Sequence, residues 1–131
     1  MEPFRAWYDN LNKPSWTPSP ETIGTIWSVL YPIIFLTHGT VLYQASKGRI
    51  SWAAATPFII NLLANAAFTP IQFGLRNNLL ATIDLLVIFG TIIWGMIAIW
   101  PDIRWIVVAM IPYLAWVTIA GVAQIAITIK N

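Results

Sequence analysis

Charged residues are placed in this chain so that four long windows are nearly free of them. From Thr22 to Ser46, from Ile50 to Leu75 and from Trp105 to Ile129 there is no Asp, Glu, Lys or Arg, and from Asn77 to Pro101 there is only Asp84. About 20 helical residues cross the roughly 30 Å hydrocarbon core of a bilayer, so each window is long enough to span it. With 58% of its 131 residues apolar and 9% charged, against about 25% charged in soluble domains, the chain is not an ordinary soluble protein. Its expected fold class is all-α and integral to the membrane, with transmembrane helices at about 22–44, 52–73, 78–100 and 105–129. The loops between them are too short for another domain, so residues 1–131 read as one membrane domain with an N-terminal loop over 1–21.

Local chemistry agrees with those boundaries. Ser19 suits an N-cap, Pro20 the first helical position and Glu21 the positive helix end. Lys47-Gly48-Arg49, Gly74-Leu75-Arg76-Asn77-Asn78 and Trp100-Pro101-Asp102-Ile103-Arg104 are polar turn segments. Prolines 32, 57, 70 and 112 are tolerated in membrane helices, where they kink or start them. Met1 to Glu21 carries Glu2, Arg5, Asp9, Lys13 and Glu21, lacks the apolar centre of a secretory signal, and is expected to remain in the mature chain. Arg5, Lys13, Arg76 and Lys130 would share one membrane face, with Lys47, Arg49 and Arg104 on the other; this asymmetry favours cytoplasmic termini. Trp52, Trp100 and Trp105 flank span ends and read as interfacial anchors.

Several function classes fall away. With no Cys there is no disulfide or thiolate site, and a lone His cannot assemble a metal centre. The net charge of +2 is scattered over loops rather than gathered into a nucleic-acid stripe. No Ser–His–acid set, paired carboxylates or Gly-rich phosphate loop is present, so no catalytic residues are assigned.

The informative residues are polar and aromatic groups inside the spans. Helical spacing puts Trp27, Tyr31 and His38 on one face of the first helix, Asn61, Asn65, Phe68 and Gln72 on one face of the second, and Tyr113, Trp116, Ala120 and Gln124, beside Gly121, on one face of the fourth. Each could be helix-packing glue through interhelical hydrogen bonds. Together, three faces combining large rings with neutral amides suit a concave site for a flat, largely apolar ligand. Asp84 is the one carboxylate within a span; it reads either as a capping or interhelical bonding group or as a proton-linked residue. His38 reads as an interface residue, with an axial haem ligand as the alternative.

The residues also carry a resemblance. Trp7-Tyr8, then Leu11-Asn12-Lys13-Pro14-Ser15-Trp16-Thr17-Pro18, then Trp27-Ser28-Val29-Leu30-Tyr31 resemble the loop and following helix of the TspO/MBR family, the tryptophan-rich sensory proteins and mitochondrial translocator proteins. Asn61 to Gln72, Asn78 to Asp84 and Ile111 to Ala120 resemble its third, fourth and fifth helices, in order and over nearly the whole chain. The resemblance implies a multi-pass membrane protein, at the plasma membrane if prokaryotic, and usually homodimeric. It implies a receptor, sensor or carrier that binds porphyrins and haem, sterols or benzodiazepine-like compounds, with no obligatory cofactor. Carried across, Trp27 and Trp116 match pocket tryptophans, Asn65 the pocket amide, Ala120 the small residue behind them, and Tyr8 and Pro18 the covering loop. Light-dependent porphyrin degradation, proposed for some members, is a lesser expectation. A small proton-coupled transporter using Asp84 is the rival from another class.

The departures matter as well. Family members have five spans, one ahead of the Trp-Tyr pair, whereas six residues precede Trp7 here. The four helices are therefore expected to correspond to helices two to five of that fold, with one wall missing unless a partner supplies it. Pro18-Ser19-Pro20 stands where the family has Pro-Pro, and Gln124, Ile125 and Lys130 stand where its sterol pattern has Asn, Tyr and Arg. Sterol recognition is not expected.

Overall fold

The computed structural model of the chain describes residues 11, 13, 15–17, 19–71 and 77–130. Four helices run in chain order: α1 Pro20–Ser46, α2 Trp52–Thr69, α3 Asn78–Ile99 and α4 Arg104–Lys130. No strand occurs among the described residues. Three helices are long and apolar enough to cross a membrane, over Glu21–Ser46, Asn78–Ile99 and Arg104–Lys130, and Trp52–Phe68 is a shorter apolar helix. The molecule is an all-helical membrane bundle.

Capping groups set the helix starts. Ser19 Oγ accepts the Thr22 N–H at 3.2 Å, Ser51 Oγ that of Ala54 at 3.1 Å, and Asn77 Oδ1 that of Leu80 at 2.9 Å, each satisfying a donor that an α-helix leaves unpaired. Gly48 adopts φ 71° between α1 and α2, a left-handed geometry that a side chain disfavours. The α-helical part of α2 runs to Thr69, where Pro70 brings no N–H to continue the ladder, and residues 70–71 follow in π-helical geometry; the last two residues of the expected 52–73 lie outside the described residues. Pro32, Pro57 and Pro112 lie within helices.

The helices form a ring in which α1 packs on α2 and α4, α2 on α3, and α3 on α4. Large apolar side chains such as Phe35, Leu63, Ile97, Val108 and Ile129 face outward, as a lipid environment permits. Thr40, Thr56 and Thr118 donate to the carbonyl four residues back, so those hydroxyls need no partner from another helix. Trp52, Trp100 and Trp105 are about half exposed at one end of the bundle. There the Arg104 guanidinium lies 5.0 Å from the Trp100 ring centroid, and Lys47 Nζ lies 5.6 Å from that of Tyr43, an aromatic and basic belt of the kind found at membrane interfaces.

Phe58 is the wedge of the core. Its buried ring meets His38 of α1 edge-on at 5.1 Å, and two of its carbons lie 3.2 Å from where a Cβ on Gly95 of α3 would sit. Because the ring is held from both sides, Gly95→Ala is expected to cost about 1–2 kcal/mol by overpacking. Thermal unfolding in detergent would measure this, and Gly90→Ala, where an added methyl meets nothing within 4 Å, is the control.

Candidate functional site

The polar interior is organised around Asn61, buried on α2. Its Nδ2 donates to the Ile88 carbonyl at 3.3 Å and to Thr91 Oγ1 at 3.0 Å on α3. A carbonyl only accepts, so the NH2 must face α3 and Oδ1 must face the opposite way. Three groups converge on that oxygen: His38 Nε2 at 2.9 Å, Tyr113 OH at 3.1 Å and Asn65 Nδ2 at 3.1 Å. His38 Nε2 therefore carries a proton and donates it to Asn61, while Nδ1 lies 3.0 Å from the Thr37 hydroxyl, which itself donates to the Ile33 carbonyl at 2.9 Å. One side-chain oxygen thus links α1, α2 and α4.

Asn65 is oriented by the same logic. Its Nδ2 also reaches the Asn61 backbone carbonyl at 3.0 Å and Tyr113 OH at 2.6 Å. Since that carbonyl and Asn61 Oδ1 are both acceptors, the NH2 of Asn65 is turned into the network and its Oδ1 away from it. Tyr113, fully buried on α4, accepts from Asn65 and donates to Asn61.

An aromatic wall stands against this network. Trp27 stacks on Tyr31 with centroids 5.5 Å apart and 29° between planes, and meets Tyr113 edge-on at 6.3 Å. The structure thus brings Trp27, Tyr31, Asn65 and Tyr113 together from α1, α2 and α4. Trp116 is buried in the same core, against which Trp27, Phe68 and Ala120 pack. The Trp116 Nε1 donor is buried without a partner among the described residues. Tyr8, Pro18 and Gln72 lie outside the described residues.

Comparison with known proteins settles the family. The TspO/MBR family's sequence model matches residues 1–130. The chain belongs to the TspO/MBR family. It is 41% identical over 85 residues to the Tryptophan-rich protein TspO of Bacillus cereus, covering 64% of this chain and 54% of that protein. It is 34% identical over 87 residues to the human Translocator protein, covering 64% and 50%. It is 31% identical over 83 residues to the Tryptophan-rich sensory protein of Cereibacter sphaeroides, covering 63% and 50%. The matched part spans about half the length of these curated relatives. Family and apolar helices together make this a multi-pass membrane protein.

In this TspO/MBR chain two residues depart from expectation. His38, expected at an interface, is instead buried at 1% exposure with both ring nitrogens hydrogen-bonded, because α2 brings it an amide that satisfies the ring. An axial haem bond would have to displace Asn61 or Thr37. Asp84, expected to cap or to bond across helices, makes no hydrogen bond among the described residues, and its Oδ2 is buried without a partner. The amides and hydroxyls that would have served it are engaged elsewhere. No cluster that could hold a metal ion is found among the described residues.

Gln124, on the same face as Tyr113 and Trp116, behaves as a fastener: its Nε2 donates to Asn78 Oδ1 at 3.2 Å, next to a Thr82–Thr128 hydroxyl pair at 2.7 Å. Gly121 contributes to a shallow apolar groove with Leu86, Phe89 and Val122 on the outer side of α3 and α4. Sequence reasoning left Asn61 out of the site, although it saw the stripe, and missed Thr37 and Thr91. Thr91 carries a usable signal, since it lies seven residues, or two helical turns, beyond Asp84 in an otherwise apolar helix.

Proposed function

We propose that this protein is a membrane receptor, sensor or carrier that binds a porphyrin or a similarly flat, largely apolar ligand between α1, α2 and α4. One observation carries the reading: the Trp27–Tyr31–Tyr113 wall is fixed from behind by the Asn61–Asn65 amides, with the Trp116 indole N–H, which has no partner among the described residues, in the same core. Aromatic faces supply non-directional stacking for a π-system, while a few fixed polar groups orient it. Relatives named as translocator and tryptophan-rich sensory proteins support a role in sensing or carrying.

The test is saturable quenching of tryptophan fluorescence by protoporphyrin IX, paired with a Soret-band titration. Trp116→Ala and Asn65→Leu are each expected to weaken binding by about 3–10-fold, the loss of one oriented contact. Unchanged affinity in both variants would remove the site from these helices. The unpaired Asp84 carboxyl keeps a second reading in view, a proton-coupled transporter. That reading requires Asp84→Asn to abolish proton-linked uptake in proteoliposomes.

A further inference from the structure

A groove and a cation lie at opposite ends of one seam on the outer side of α3 and α4. Leu86, Phe89, Gly121 and Val122 border an apolar groove of about 190 Å³. A Cβ on Gly121 would meet nothing within 4 Å, so the missing side chain leaves its floor open. Thr118, at its edge, has its hydroxyl turned to the Leu114 carbonyl at 2.8 Å. The space is smaller than the roughly 300–1,000 Å³ of sites for compact drug-sized ligands, and its walls are hydrocarbon; it suits a slender acyl chain. From the groove, Leu86, Ile93, Ile97 and Trp100 follow one another along a single face of α3, and Val122, Thr118, Ile111, Val108 and Arg104 along a single face of α4, all of them exposed or at its margin. The two stripes meet again at the far end, where the Arg104 guanidinium lies 5.0 Å from the Trp100 ring centroid.

The seam has the length and the polarity of one lipid. Trp100 and Phe89 are eleven residues apart, about 16 Å at the helical rise, or half of the roughly 30 Å hydrocarbon core. With Trp100 at the interface, the groove begins near the bilayer midplane, where acyl chains end. At the other end Arg104 has no ion pair among the described residues, and the first turn of α4 holds no acidic residue to neutralise the positive helix end. Trp100 and Trp105, each about half exposed, add indole N–H donors at the same level. We propose that the α3–α4 seam binds one anionic phospholipid, with its headgroup on Arg104 and Trp100 and one acyl chain seated in the groove at Gly121. A zwitterionic headgroup brings an ammonium toward the guanidinium and is disfavoured. The site faces the lipid and is separate from the interior between α1, α2 and α4.

Palmitoyl-oleoyl phosphatidylglycerol and the phosphatidylcholine with the same chains are the probes, titrated into the full chain in dodecyl maltoside and read as bound lipid by native mass spectrometry. The parent chain is expected to hold one phosphatidylglycerol about fivefold more tightly than phosphatidylcholine, the effect of one basic residue at an anionic headgroup. Arg104→Gln is expected to bring the two lipids within about twofold of each other. Lys47→Gln removes a charge from the α1–α2 turn at the same end of the bundle and is expected to leave the preference intact. Gly121→Leu fills the groove and is expected to weaken both lipids by about threefold, through lost chain contacts, without changing the preference. Gly121→Ala, whose methyl meets nothing within 4 Å, repeats that test with a smaller loss should the leucine variant not fold. The thermal midpoint in lipid-free detergent reports that each variant keeps its fold. A parent chain without preference, or equal loss of preference in Lys47→Gln and Arg104→Gln, overturns the proposal, because the attraction is then diffuse. Unchanged affinities in both Gly121 variants overturn it as well, because the chain is then not seated in the groove.

Discussion

Asn61→Leu is expected to be the most destabilising single substitution in the polar interior. Leucine shares asparagine's branching and its number of side-chain heavy atoms but neither accepts nor donates, so His38 Nε2, Tyr113 OH, Thr91 Oγ1 and one Asn65 N–H all lose a partner. Interhelical hydrogen bonds in membrane proteins contribute about 0.6 kcal/mol each on average and seldom much above 1, because the unfolded chain finds substitutes. Four such losses predict about 2–4 kcal/mol. Urea or SDS unfolding in mixed micelles would measure it. Thr91→Val, which removes one contact of the set, should cost only about 1 kcal/mol. If Asn61→Leu is no worse than Thr91→Val, the convergence on Asn61 Oδ1 is not a unit of stability.

Trp27→Ala is expected to be the most damaging substitution for ligand binding. The ring stacks on Tyr31 and buttresses Tyr113 from the edge, so its removal takes away a stacking face and loosens two more. Stacking on an aromatic side chain contributes about 1–3 kcal/mol; a loss of about 2 kcal/mol is roughly a 30-fold weaker protoporphyrin affinity. Trp27→Phe restores a face at the same place and should recover most of that loss. Fluorescence quenching carried by the remaining tryptophans, together with the Soret titration, reads both variants. Alanine and phenylalanine variants that bind equally well would show that Trp27 packs the bundle without meeting the ligand.

The parts of the fold that depend on one-dimensional pattern were legible before any coordinates. Charge-free windows forecast the helices, because the cost of a bare charge in lipid is severe enough to be visible residue by residue. Ser19 and the polar turns marked boundaries through hydrogen-bonding rules that act over three or four positions. The helical faces were legible for the same reason, and they put Trp27, Tyr31, Asn65 and Tyr113 on stripes that the structure joins. What those rules cannot convey is which stripe meets which. His38 lies 23 positions from Asn61 and Tyr113 lies 52, and only the ring order of the helices makes them neighbours. Once α2 places an amide against His38, a residue that looked suited to an interface becomes a fully satisfied core group. Asp84 fails in the opposite sense: the Asn, Thr and Tyr side chains expected to serve it bond to one another instead. The change from α to π geometry at residues 70–71 reflects the lost donor at Pro70, a local effect that the apolar run concealed.

The Phe58 wedge has a consequence for how sequences of this kind can change over evolutionary time. A ring lodged between His38 and the bare backbone of Gly95 makes the three positions share one fixed volume. Bulk added at 95 has to be surrendered at 58, and a smaller residue at 58 opens room that 38 or 95 must refill. Related chains should therefore exchange bulk between positions 58 and 95 in step, with single changes rare and paired changes tolerated, and an alignment deep enough to count such pairs would show it.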